Sequence, residues 1–431
     1  MNIYTPPVML SAKSADLRPV QLAWLAAAVF VVAAGYGALL PLLPGWLTSM
    51  MPSVTAAEIA RHIGFLSGVY SAGVLVGAPL WGVAADRVGP GRVLIIGLVG
   101  YVASLLLMLV PALAGLWGIY ALRGTTGFFV AAVVPVVSAL VADYTPEEQR
   151  ARRFAWLGAM SLFGFLFGPG LNALADGVGS WASEGAASSA RSAQIVIVLS
   201  ALFGAVMMLG LAWSLPASRT PDASEQNNRV TTPNERTTAL CWLSGAVMFV
   251  LACFELGIVL QGQQHTSLSS REVALMFAEC SLVMLGINAV LFFTSLLEKT
   301  STRSLISAGL ILAMAGLAVL AQHRAKVWMY LGVSLTAAGT GLVLPVISYM
   351  AAGTSRQKLG FTMGGLAAAA GFGQTFGSAA GGWLFGALAQ RSFAWLTLPL
   401  VVMLILLVTR PGWWSAIPAQ FVRRPTGGSR S

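Results

Sequence analysis

Apolar runs of about twenty residues or more recur along this chain with short polar interruptions, and that recurrence restricts the fold more than any other feature. An α-helix rises about 1.5 Å per residue, so about 20 residues cross a hydrocarbon layer about 30 Å thick. No water serves the backbone inside such a layer, so the runs are read as helices that satisfy their own hydrogen bonds. Composition agrees: 57% of the 431 residues are hydrophobic and 9% charged, against about 25% charged in an ordinary soluble domain. Spans are placed near 21–47, 60–84, 93–113, 115–142, 151–175 and 192–215, then near 238–262, 271–297, 303–322, 325–351, 357–389 and 391–409. The first run is too long for a cleaved signal core and is expected to stay as a span. The prediction is an all-α integral membrane protein with twelve transmembrane helices in two six-helix bundles. The N-terminal bundle covers 1–215 and a polar linker 216–237. The C-terminal bundle, with a cytoplasmic tail, covers 238–431.

Charge sets the expected orientation. With the amino terminus inside, eighteen of the 25 Lys and Arg fall in cytoplasmic segments. Six (Arg61, Arg191, Arg271, Arg324, Lys326 and Arg391) fall in outer loops, and Arg123 lies within a span. Basic loops do not cross, so a multi-pass protein of a bacterial-type inner (plasma) membrane is expected, both termini and the linker cytoplasmic. The net charge of +10 is scattered over short loops without an aromatic-lined basic stripe, so no nucleic-acid partner is expected. Cys241, Cys253 and Cys280 lie in apolar runs without metal-ligand spacing, and neither a disulfide, a metal nor a cofactor is expected. His62, His265 and His323 fall at or near outer loops, and no Gly-x-x-x-x-Gly-Lys-(Ser/Thr) run occurs. An intramembrane enzyme and an ATP-driven pump are therefore both disfavoured.

Several residues stand out against this apolar background. Between spans 2 and 3 lies a loop with Gly82, Asp86, Arg87, Gly89 and Arg92. Its glycines suit a tight turn, and Asp86 can receive a neighbouring base or a helix amino terminus. Arg123 sits about eight residues into span 4, where a bare guanidinium costs about 2.5–3.5 kcal/mol on insertion scales, so it must face protein or water. In span 5, Gly164 and Gly168 share one helix face and Pro169 removes a backbone donor, which suits close packing and a kink. Two acids lie well inside spans, Glu255 in span 7 and Glu279 in span 8, both about 10–12 Å below the outer surface. Carboxylates at matched depth suit reversible proton uptake or attraction of a cationic substrate. Tyr36 and Gln374 are weaker cavity candidates.

Gly82–Arg92 resembles the major facilitator loop motif, Gly-x-x-x-Asp-(Arg/Lys)-x-Gly-(Arg/Lys)-(Arg/Lys). Leu40-Pro41-Leu42-Leu43-Pro44-Gly45, that loop, Arg123…Gly127, Asp143…Arg150 and Gly168-Pro169 follow in family order. Together they resemble the twelve-helix drug/proton antiporter branch that includes tetracycline exporters, well over residues 30–175 and in outline beyond. The resemblance implies that Asp86 helps latch a cytoplasmic gate near the start of span 11. It implies that Arg123 serves proton transfer or charge balance, and that substrate binds where the repeats meet. The function implied is proton-coupled export of small amphipathic or cationic molecules (drugs) by alternating access, with protons, a small-molecule substrate and the bilayer as partners of a monomer. Pro90-Gly91 departs from the usual basic pair, Asn172-Ala173 stands where span 5 usually ends in two glycines, and span 1 lacks the aspartate common in that branch. Coupling carboxylates would then lie elsewhere. An exporter of one endogenous metabolite, such as a siderophore-like chelator, is the alternative; a non-transporting membrane sensor is further off.

Overall fold

The computed structural model describes residues 18–110, 113, 115–145, 147–181, 189–214, 235–264, 268, 270–294, 296–352 and 356–410. Among them the chain is helical, with no strand. The first half contains α1 (Pro19–Leu39), α2 (Ala56–Val88), α3 (Pro90–Leu107), α4 (Leu116–Val130), α5 (Glu147–Trp181) and α6 (Ser189–Ser214). The second contains α7 (Glu235–Gln264), α8 (Ser270–Phe293), α9 (Thr302–Gln322), α10 (Lys326–Ala352), α11 (Arg356–Leu388) and α12 (Thr397–Thr409).

Eleven helical stretches among the described residues are long and apolar enough to cross a membrane. The last, Thr362–Thr409, is 48 residues, about 72 Å if straight, which is more than twice a bilayer core. It is two crossings. After α11 the chain makes a 3-10 turn, Ala389–Arg391, in which Ala389 takes φ 49°, and a short helix Ser392–Trp395 leads into α12. A left-handed residue cannot continue the helix, so the chain reverses there. Among the described residues that makes twelve spans.

Prolines explain the interrupted spans. α1 passes through a 3-10 turn (Leu40–Leu42) into a helix over Leu43–Met50, with Pro41 and Pro44 each near the start of its segment. α4 tightens at Ala131–Val133, where Ala132 N–H donates to Phe129 O and Val133 N–H to Val130 O. It resumes as Val134–Asp143 with Pro135 in the first turn, where a missing N–H is tolerated. Span 3 stops earlier than expected, at Leu107 rather than 113, because Met108 and Leu109 turn back on bonds to Leu105 and Leu106. The linker expected at 216–237 lies outside the described residues up to 234, and Glu235 already begins α7.

In the first half α1 packs on α5 and α6, and α2 on α4; in the second α7 packs on α11, and α10 on α8 and α9. The halves meet along two seams, α2 with α11 and α5 with α8. Lipid tails are as apolar as leucine, so helices associate here through small residues that admit backbone to backbone. The α2–α11 seam is such a stripe at helical spacing. A Cβ on Gly64 would lie 2.5 Å from Gly382 Cα, one on Gly68 3.2 Å from Thr375 O, and one on Gly386 2.8 Å from Ala57 O. Contact continues at Gly371, whose Cβ would meet the Leu75 side chain at 2.9 Å. Seven residues further along each helix the same stripe reaches Gly82 and Gly364, and neither has anything within 4 Å of its Cβ position. The seam is closed at one end and splayed at the end that carries the α2–α3 loop.

This asymmetry predicts opposite responses to one methyl group. Gly64→Ala should lower the melting temperature of the detergent-solubilised protein, since overpacking costs about 1–3 kcal/mol. Gly82→Ala should leave it unchanged or raise it slightly, since Ala exceeds Gly in helix propensity by about 1 kcal/mol. Thermal unfolding of both variants against the parent checks this.

A candidate substrate site between the halves

Arg123 is the largest of the fully buried side chains, 2% exposed. Its place follows from local backbone packing. One turn on, Gly127 lies so close to α2 that a Cβ would sit 2.0 Å from Tyr70 O, and Gly73 of α2 meets Gly124 in the same way. That approach sets the Tyr70 ring over the guanidinium, with Arg123 Cζ 4.7 Å from its centroid. The Tyr36 ring from α1 lies at 5.9 Å, near the limit of about 6 Å for a cation–π contact. Tyr36 and Tyr70 pack on each other with centroids 5.0 Å apart, and Tyr101 of α3 is within electrostatic reach of the guanidinium.

Among the described residues Arg123 has no hydrogen-bond or carboxylate partner, and its Nε and Nη2 are buried without an acceptor. The nearby Tyr101 hydroxyl is likewise buried and unpartnered. A cation–π contact is worth about 2 kcal/mol or more when desolvated, but it supplies no hydrogen-bond acceptor to the guanidinium. Its edge donors are left as they were, each costing about 1–3 kcal/mol.

The second half completes the wall. Glu255 of α7 is on the side away from α11, half-buried and within electrostatic reach of Tyr36. Tyr36 is therefore within electrostatic reach of a cation from one half and a carboxylate from the other. Phe165 of α5 stacks on Phe277 of α8 across the second seam at 6.4 Å and packs on Tyr36 at 5.4 Å. Gln374 is half-buried on the face of α11 opposite the exposed Phe372, Phe376 and Trp383, which turns it inward between α7 and α2.

Glu279 goes elsewhere. The Ser334 hydroxyl of α10 donates to its Oε1, and its Oε2 is buried without a partner. It belongs to the α8–α10 contact, so equal depth did not bring the two glutamates face to face. Gly164 and Gly168 pack α5 on α1: Cβ atoms there would lie 2.3 Å from Phe30 O and 2.6 Å from Gly37 C. Pro169 follows inside the unbroken α5. The expected α2–α3 loop shrinks to Gly89, which takes φ 93° and ends α2; Gly82, Asp86 and Arg87 lie in the last turns of α2 and Arg92 in the first turn of α3, all exposed. The side chains of Asp143 and Arg150 lie outside the described residues. Tyr70, Tyr101, Phe165 and Phe277 are site residues that sequence reasoning passed over. The available signal was scarcity: the chain has eight tyrosines, and Tyr36, Tyr70 and Tyr101 fall within three consecutive spans of one half.

A family model described as the Major Facilitator Superfamily matches residues 25–290. The tetracycline resistance protein, class B, of Escherichia coli is 35% identical over 140 residues, 32% of this chain and 33% of that protein. The class H protein of Pasteurella multocida is 31% identical over 199 residues, 46% and 47% of the two chains. The quinolone resistance protein NorA of Staphylococcus aureus is 27% identical over 143 residues, 33% and 35%. The matched stretch thus spans less than half the length of these relatives. Among solved structures, the human organic anion transporter MFSD10 (TETRAN) superposes with a TM-score of 0.69 at 18% identity, covering 90% of this chain and 100% of that one. A POT family transporter in complex with a thioalcohol conjugated peptide gives 0.73 at 14%, covering 91% and 96%. At those identities the likeness is one of fold.

An unpartnered buried guanidinium predicts a conflict between stability and activity. Replacing a buried charge by an apolar side chain of similar volume is often neutral or stabilising by about 1–4 kcal/mol. Arg123→Met should keep or raise the melting temperature while lowering, without abolishing, whatever activity the site supports. A marked fall in melting temperature would mean that Arg123 holds the helices together.

Proposed function

The chain belongs to the Major Facilitator Superfamily, and on that premise we propose that it is a proton-coupled exporter of small amphipathic or cationic molecules working by alternating access. One observation carries the reading: Arg123 and Glu255, from opposite halves, are both within electrostatic reach of Tyr36, which packs on Phe165 of the Phe165–Phe277 seam. Glu255 is the carboxylate placed to exchange a proton against substrate, and Arg123 supplies fixed charge beside it. The resistance functions in the names of the tetracycline and quinolone relatives support drugs as cargo.

The charge distribution supports a cytoplasmic placement of the α2–α3 loop and both termini in an inner membrane. The splayed end then faces inward and the glycine-closed end outward. Export would proceed by uptake of substrate from the inner side, closure of the Gly82–Gly364 end, and parting of the Gly64–Gly382 end. Asp86 would latch the closed inner end, and the polar stretch 216–237 would tether two six-helix bundles that rock as units. Glu279, held by Ser334, is a second proton site at the α8–α10 contact.

The test uses purified protein in liposomes with a trapped pH dye under an imposed proton gradient. Adding ethidium or tetracycline should trigger proton movement in the parent, and Glu255→Gln should lose it. Glu279→Gln run in parallel separates the two carboxylates. Substrate flux without proton movement would instead mean a uniporter or another coupling ion.

A further inference from the structure

We propose that Arg123 and its tyrosines are a docking point for a carboxylate, or a similar oxyanion, carried by the transported molecule. The proposal rests on the transport reading above and narrows its substrate class. A guanidinium offers two kinds of surface. Its faces can lie against rings, and here Tyr70 and Tyr36, with centroids 5.0 Å apart, both lie to one side of Cζ at 4.7 and 5.9 Å. Its edges donate, and Nε with Nη2 form the lateral fork that receives both oxygens of one carboxylate. That fork is buried and has no acceptor among the described residues. The Tyr101 hydroxyl, within electrostatic reach of the guanidinium, is a third buried donor in the same condition.

Glu255 does not fill this role here, since it forms no ion pair or hydrogen bond with the guanidinium among the described residues. Tyr36, Tyr70 and Tyr101 are neutral phenols that supply ring faces and hydroxyls but no counter-charge. A cationic group brought to Arg123 would be repelled, whereas an oxyanion neutralises the one buried cation of the site and satisfies its edge. The fork is closed off in this conformation, so the acid enters as the rings of Tyr36 and Tyr70 swing aside. Both rings belong to helices that line a seam or face the opposite half. A molecule with an acid at Arg123 and an amine near Tyr36 would also reach Glu255, so zwitterions suit the site best.

The probes are ciprofloxacin, which carries a carboxylate and an amine, its ethyl ester, and ethidium, each followed by fluorescence in proteoliposomes under a proton gradient. The parent should move the acid about tenfold or more faster than the ester, the discrimination one bidentate pair can give. Arg123→Met should bring that ratio close to one, Arg123→Lys should keep part of it, and Tyr101→Phe should reduce it a few-fold. Size-exclusion profiles and melting curves confirm that each variant is folded. Equal transport of acid and ester by the parent, transport of neither, or a ratio that survives Arg123→Met would each overturn the proposal. Ethidium separates the two readings. If ethidium moves while the acid has no advantage, only the docking point fails; if none of the three compounds moves, the transport reading fails with it.

Discussion

Backbone-to-backbone contact at glycine is the constraint on which the rest of this structure depends. In lipid no hydrophobic force draws one helix to another. The halves are held where side chains are missing, at Gly64, Gly68, Gly382 and Gly386 on one seam. The same device works inside each half: Gly164 and Gly168 seat α5 on α1, and Gly373 and Gly377 seat α11 against Gly245 and Phe249 of α7. Span 11 thus lies between two glycine contacts, one within its own half and one across to α2.

The site inherits its geometry from these contacts. Gly127 admits α2, the approach of α2 places Tyr70 over Arg123, and the α1–α5 contact sets Tyr36 against Phe165. A guanidinium that would be costly anywhere in the membrane lies over two tyrosine rings at a fixed depth. Glycines one to four residues away in sequence from Arg123 and Phe165 therefore set the chemistry as firmly as the charged group does.

Much of the fold was legible because hydropathy and length are strong signals in a membrane. The twelve spans agree with the observed helices to within a few residues at most ends, and Arg123 was marked out by its depth alone. Other features depended on rotation about the helix axis, which an all-apolar span does not encode. Glu255 and Glu279 have matched depths, yet one turns toward Tyr36 and the other toward Ser334. The tyrosines escaped notice for the same reason, since an aromatic ring in an apolar run reads equally as lipid-facing, core or cage. The early end of α3 was invisible because Met108 and Leu109 are apolar although they turn.

The graded α2–α11 stripe also makes the pair a lever with an off-centre fulcrum. The last tight contact is Leu75 on Gly371, and from Leu75 to the end of α2 at Val88 the helix runs on for about 20 Å. Each ten degrees of tilt about that point moves the tip by about 3–4 Å. The opposite arm, from Leu75 back to Ala57, is longer, about 27 Å. A given rotation therefore sweeps a wider gap at the glycine-closed end than at the splayed one. The two ends differ in aperture for the same angular travel, so the end with the closer packing is also the end that a given tilt would open wider.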